Sequence, residues 1–304
     1  MTQVPGSPHT PQDAQGDGGL PGCSRHPDRP TGVRCTRCEQ PICPECMVSA
    51  SVGFQCPSCV RTGSGTGHPP GAAAPRTLAG STIAADPRLI TKILLGLNAA
   101  VFIAVLLNGG ETGWLLRRLD LVGLVEPWPS PPYGVAEGQW YRLLTAMFLH
   151  AQIAHFAFNM LSLWWLGPPL EAALGRLRYT ALYLLAGLGG SALSYLLAAQ
   201  NQPSLGASGA IFGLLGATAV LLRRLNYDMK PVLILLGLNL VFTFLWPNIS
   251  WQAHIGGLVV GAAVAFGMVH APRHRRTLVH VATCLAALLA IVALVWVRTL
   301  QLLG

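Results

Sequence analysis

Five polar side chains in this chain lie in or at the ends of apolar stretches, where hydroxyl, imidazole and amide groups could do chemistry. Ser208 stands in Gly206-Ala207-Ser208-Gly209-Ala210-Ile211-Phe212-Gly213, where a polar loop at 200–204 gives way to an apolar run ended by Arg223-Arg224. That boundary puts Ser208 at or near a helix N-terminus, beside backbone N–H groups with no intrahelical partner. His254 opens another apolar run in Ala253-His254-Ile255-Gly256-Gly257. A serine hydroxyl becomes a nucleophile when a base takes its proton, and a neutral imidazole is such a base near pH 7. His150, His155 and Asn159 begin a third run; His155 and Asn159 are four apart and share a helix face, whereas His150 is five before His155 and is expected to point elsewhere. Each residue has a plainer reading: Ser208 as an N-cap between packing glycines, the histidines as buried hydrogen-bonding groups, Asn159 as an interhelical hydrogen bond.

Absences narrow the chemistry. No Asp or Glu is expected inside a span except Glu171, near the cytoplasmic end of the second, so a paired-aspartate mechanism is excluded and no acid stands at the right depth for a full Ser-His-Asp triad. No His-Glu-x-x-His motif is present, which excludes that class of zinc protease. A Ser208–His254 dyad remains.

A second constellation lies near the N-terminus. Cys23-x-x-His26, Cys35-x-x-Cys38, Cys43-x-x-Cys46 and Cys56-x-x-Cys59 supply eight ligands, enough for two tetrahedral zinc ions. Only four residues separate the second and third pairs, which suits interleaved sites: Cys23, His26, Cys43 and Cys46 for one, Cys35, Cys38, Cys56 and Cys59 for the other. Disulfides are the alternative; the well-spaced histidine and the absence of an export signal speak against them. The segment resembles the B-box type of small zinc-binding domain.

These groups need elements to hold them. The 304 residues are 52% hydrophobic and 11% charged, well under the roughly 25% charge of soluble domains. Long apolar runs give seven expected membrane spans: 89–107, 143–166, 180–198, 208–222, 231–246, 253–269 and 278–297. The fold class expected is therefore all-α, a polytopic helix bundle with a small zinc-binding domain before it. The divisions read as a disordered tail (1–20), a zinc-binding domain (21–62), a flexible linker (63–86) and a membrane domain (87–304). The stretch 108–142 mixes Trp114, Trp128 and leucines with Arg117, Arg118 and Asp120, and suits the membrane interface. Gly209-x-x-x-Gly213 and Gly257-x-x-x-Gly261 would let the fourth and sixth spans approach closely and bring His254 beside Ser208.

The net charge of +8 is no nucleic-acid footprint: residues 1–62 hold five arginines and five acids, and the surplus lies in loops. Arg176, Arg178, Arg223, Arg224, Lys230, Arg273, Arg275 and Arg276 fall in alternate loops, while 199–207 and 247–252 carry no Lys or Arg. The expected topology has a cytoplasmic N-terminus and an external C-terminus, with Trp246, Trp251 and Trp296 as interfacial anchors.

Trp140-Tyr141-Arg142, His150…His155…Asn159, Gly206-Ala207-Ser208-Gly209 and Ala253-His254-Ile255-Gly256-Gly257 together resemble the rhomboid family of intramembrane serine proteases over about residues 88–270, a six-span core. The seventh span fits the subgroup with one extra C-terminal helix. The resemblance implies Ser208 as nucleophile and His254 as general base, with an oxyanion hole from the Ser208 N–H, His155 and Asn159. It implies that Arg142 and Glu171 stabilise the 108–142 segment, that His150 braces it, and that Phe212 faces the His254 ring. Trp140, Gly206, Gly209 and Gly257 belong to the same motifs. The substrates implied are transmembrane proteins in the lipid bilayer, cut without a catalytic cofactor. Three rivals stand beside this reading: an inactive rhomboid-like binding or escort protein, which would be expected to lack Ser208 or His254; a transporter or channel, for which spans four to six lack a polar path onward; and a zinc-finger adaptor merely tethered to the membrane, against which seven spans with polar residues at matched depth speak. The zinc-binding segment could also serve a protein partner.

Overall fold

A computed structural model of the chain describes residues 20–50, 52–62, 77–81, 84–127, 129–245 and 249–304. The expected tail apart from Leu20, most of the expected linker, and Trp128 and Trp246 lie outside the described residues. The chain divides into two units near residue 74.

The N-terminal unit has little regular structure. A hairpin pairs β1 (Val48–Ser49) with β2 (Phe54–Gln55), and α1 (Pro57–Thr62) follows. Its interior is Ile42 and the cysteines Cys23, Cys35, Cys43, Cys46 and Cys56. So small an apolar core cannot stabilise a domain of this size without help, and metal ligation is the usual remedy.

Among the described residues the C-terminal unit is a bundle of seven long helices: α2 (Leu89–Leu107), α5 (Ile153–Leu174), α6 (Arg176–Leu197), α7 (Ser208–Arg224), α8 (Lys230–Leu245), α9 (Trp251–Val269) and α10 (Arg276–Leu303). Two short helices, α3 (Trp114–Leu119) and α4 (Arg142–Thr145), lie between α2 and α5. By length and composition α2, α6, α9 and α10 are each able to cross a membrane. α7 has 17 residues, about 25 Å of helix against a hydrocarbon core of about 30 Å. Its short length fits its position: Gly209 to Ala217 are buried without interruption, so the surroundings α7 must match are protein rather than lipid.

Small residues make that central position possible. α6, α7 and α9 form one tightly packed group. A Cβ on Gly257 of α9 would run into the carbonyl of Gly209 on α7, and one on Gly261 into the backbone of Gly213. The glycine faces expected to draw these helices together do so. α6 adds Gly189 and Gly190, which face Gly256 and the carbonyl of Ala253.

The second expected span is displaced. Residues 142–148 form α4 and a short 3-10 turn, and the long helix begins only at Ile153, continuing through Pro168-Pro169 to Leu174. The apolar stretch at 143–149 is tied instead to the 108–142 segment: Thr145 Oγ1 donates to Leu119 O at 2.7 Å, and Leu149 packs with Val105 and Leu116. Part of the expected linker is also no linker. Ala79 is fully buried on the bundle and its N–H donates to Ala173 O at 3.2 Å.

Candidate active site

Four long helices and one loop converge at one end of the bundle. α7 starts there with Ser208, α9 with Trp251 and α5 with Ile153, while α8 arrives there at its C-terminal end. Ser208 is the first residue of α7, and the cap position belongs to Ala207. The N-cap reading of Ser208 is therefore not met; its side chain is turned to α9. Ser208 Oγ and His254 Nε2 are 2.8 Å apart. The His254 ring stacks on Phe212, one turn into α7, with centroids 4.1 Å apart and planes at 12°. Ser208 is partly buried and His254 is 7% exposed. A hydroxyl and an imidazole in this geometry can exchange a proton.

The loop before α7 supplies the next wall. Gly206 has φ +127°, a conformation that suits glycine, and its N–H donates to Ala146 O at 2.9 Å. A Cβ there would lie 2.9 Å from His155 Nε2 and 3.7 Å from Ser208 Oγ, so His155 and Ser208 flank the same bare backbone. Asn159 stands one turn below His155 on α5, with Nδ2 donating to His155 O at 2.8 Å. His150 does not point away. α5 begins after it, so the helical spacing that separates it from His155 does not apply. Its buried ring lies 5.2 Å from that of His155 and edge-on to Phe102 and Phe156.

Arg142 and Glu171 part company. Arg142 is 2% exposed and anchors the 108–142 segment through Asp120 Oδ1 at 2.9 Å, Asp120 O at 2.7 Å and Arg117 O at 3.0 Å. Burial pushes the Asp120 carboxyl up to about 6, against the pull of the guanidinium beside it. Glu171 does not reach that segment. It lies at the far end of α5, where its two oxygens accept from Ile90 N, Thr91 N and Thr91 Oγ1, each at 2.9 Å. Its charge caps the N-terminus of α2, where the helix dipole favours an anion. Trp140 is 54% exposed, at the end of the 108–142 segment.

One neighbour of His254 escaped the sequence reading. Thr243 of α8 is 3% exposed and places Oγ1 2.7 Å from His254 Nδ1. Nothing in its local sequence marks it, because threonines in apolar helices commonly satisfy their hydroxyl on their own backbone.

In the N-terminal unit the eight ligands fall into the two interleaved groups expected: Cys23, His26, Cys43 and Cys46, and Cys35, Cys38, Cys56 and Cys59. Within each group the ligand atoms all lie within 4.8 Å of one another. His26 Nδ1 is 3.4 Å from both Cys43 Sγ and Cys46 Sγ, and Cys38 Sγ is 3.8 Å from Cys56 Sγ. Backbone N–H groups of Cys56 and Cys59 point at Cys35 Sγ and Cys56 Sγ at 3.2 and 3.3 Å, which stabilises thiolate character. Soft donors in fours at this separation suit zinc.

Comparison with known proteins agrees with both units. Residues 137–271 match the model of the rhomboid domain, and residues 20–50 match that of the B-box zinc finger. The chain is 38% identical over 188 residues to the rhomboid protease GluP of Bacillus subtilis, covering 59% of this chain and 35% of that protein. It is 34% identical over 147 residues to the putative rhomboid protease YdcA of the same organism, covering 47% of this chain and 74% of that one. A third relative, RHOMBOID-like protein 6, mitochondrial, of Arabidopsis thaliana, is 32% identical over 216 residues, covering 60% of this chain and 70% of the relative. The match thus spans about a third of GluP and most of the other two. Agreement over most of the length of two relatives, joined to the site's geometry, places the chain in the rhomboid family.

Proposed function

We propose that the chain is an intramembrane serine endopeptidase that cuts transmembrane helices of other membrane proteins with a Ser208–His254 dyad. The observation that carries this reading is the 2.8 Å contact between Ser208 Oγ and His254 Nε2, held by stacking on Phe212 at the end of a glycine-packed helix pair. The alternative, an inactive binding or escort protein, has no use for a hydroxyl and an imidazole so aligned.

In the proposed reaction His254 Nε2 takes the Ser208 proton as Oγ attacks a peptide carbonyl carbon. The tetrahedral oxyanion would be met by the Ser208 N–H, which has no intrahelical acceptor at the first turn of α7, and by donors on His155 and Asn159. Each such donor is typically worth about 3–4 kcal/mol of transition-state stabilisation in serine proteases. The imidazolium then protonates the departing amine. His254 next takes a proton from water, whose oxygen attacks the Ser208 ester and frees the second product. Substrate must reach Oγ as extended backbone, so helices that unwind at glycine or proline and carry small side chains suit the site.

Loop charges support an orientation with the N-terminal unit in the cytoplasm and Gly304 outside, the active-site end being the outer one. The two ligand groups would each hold a structural zinc ion, and the metal-folded unit offers a surface to a protein partner. Fluorophosphonate labelling of the purified protein tests the dyad: Ser208 alone should react, and only with His254 present. Equal labelling of the His254→Ala variant would sink the proposed mechanism.

A further inference from the structure

α8 is poorly covered by the rest of the bundle. Among its residues only Val232 and Thr243 are buried. Thr243 is buried at His254. Its Oγ1 lies 2.7 Å from His254 Nδ1, the ring nitrogen turned away from Ser208. The same hydroxyl lies 2.7 Å from Asn239 O, one turn earlier on α8.

These two contacts fix the direction of a proton chain. A threonine hydroxyl has one proton and two lone pairs, and a backbone carbonyl can only accept. The proton therefore goes to Asn239 O, and Thr243 Oγ1 meets His254 Nδ1 as an acceptor. Nδ1 must then carry the ring hydrogen. Nε2 is left with its lone pair directed at the Ser208 hydroxyl, 2.8 Å away. In the other tautomer Nε2–H would point at Ser208 and the base would face the wrong way.

We propose that Thr243 is a positioning residue that holds His254 in its Nδ1–H tautomer, the form able to take the Ser208 proton. The proposal rests on the reading of Ser208 and His254 as the dyad. It gives the third place, taken by a carboxylate in a full triad, to a neutral hydroxyl: one that orients the ring without adding a charge to a water-poor site. Packing alone does not account for the contact. Valine has nearly the shape of threonine and would fill the same space, and the Thr243 hydroxyl is already satisfied by Asn239 O. The lone pair set against Nδ1 is the part that only a hydroxyl supplies.

Thr243→Val and Thr243→Ser separate the two roles, with Thr243→Ala as a second deletion of the hydroxyl should valine disturb folding. The valine variant should lower kcat for cleavage and the rate of fluorophosphonate labelling by at least about 10-fold, toward the roughly 10,000-fold that a wrong tautomer costs a full triad. KM should stay at the wild-type value, and Thr243→Ser should recover labelling to within about threefold, because it restores the acceptor. Labelling of the valine and alanine variants at the wild-type rate would overturn the proposal, as would a serine variant as slow as valine. Nitrogen-15 NMR of histidine-labelled protein, with His254→Ala to assign the signal, reads the tautomer without any turnover. Wild type should show Nδ1 protonated and Thr243→Val should show a shift toward Nε2–H. Should the wild-type protein neither label nor cleave, the dyad reading fails by itself. The NMR signal then still decides Thr243: Nε2–H in wild type, or no change in the valine variant, overturns its role.

Discussion

Gly257→Ala adds one carbon where α9 touches α7. That carbon would lie 2.6 Å from Gly209 C and 3.1 Å from Gly209 Cα, and closer still to Gly209 O, whereas ordinary contact begins at 3.4 Å. Backbone cannot rotate out of the way as a side chain can, so the two helices must part by on the order of 1 Å, and overpacking of this kind costs about 1–3 kcal/mol. The displacement falls on the site. Gly209 follows Ser208 directly, and His254 is one turn before Gly257. Starting from 2.8 Å, a separation of that size takes Ser208 Oγ and His254 Nε2 out of good hydrogen-bonding range. A misplacement of about 1 Å in a catalytic pair lowers rate by about 100-fold. The assay is the rate of fluorophosphonate labelling at Ser208, beside a thermal unfolding curve in detergent. Gly96→Ala in α2 is the control: a Cβ there meets nothing within 4 Å, and it should label and melt at least as well as wild type. Wild-type labelling by a folded Gly257→Ala protein would refute the claim that glycine contact sets the dyad distance.

Glu171→Gln removes the charge that caps α2 and puts an amide donor beside three N–H and O–H donors; it should cost about 1–3 kcal/mol in thermal unfolding while the labelling rate per folded molecule holds. The full-length protein purified under reducing conditions should carry two zinc ions per chain by elemental analysis, and Cys35→Ser should lower the count to one, because the two ligand groups share no residue. Reporter fusions should place loop 199–207 and Gly304 outside and Arg273–Arg275 inside; cytoplasmic signals from both of the first two would reverse the orientation.

Much of this was legible in the residues, and the failures have physical causes. The first span, 89–107, coincides with α2 because its apolar run holds a single charged residue, Lys92, close to its start. The glycine spacing of Gly209, Gly213, Gly257 and Gly261 foretold the α7–α9 contact, since absence of a side chain is itself a packing signal. The metal groups followed from the reach of a two-residue gap. The stretch 143–152 misled because hydropathy counts residues and cannot see that Thr145 and Leu149 are held by the 108–142 segment. His150 was misdirected for the same reason, as helical spacing was applied to residues outside the helix. The second span was expected to end at 166, yet the helix runs on through Pro168-Pro169 to Leu174 and carries Glu171 to α2. Thr243 gave no sign in the sequence, because its value lies in a contact 11 residues away with His254.

Cleavage by the Ser208→Ala variant tests the central claim most directly. Wild-type protein in proteoliposomes should cut at least one single-span substrate from a panel with small residues and a glycine or proline near the outer end of the helix. Ser208→Ala and His254→Ala should each abolish the cut while leaving the protein folded, and the double variant should be no worse than either, because the two act as a unit. Full cleavage by a folded Ser208→Ala protein of a substrate that wild type cuts would contradict the account.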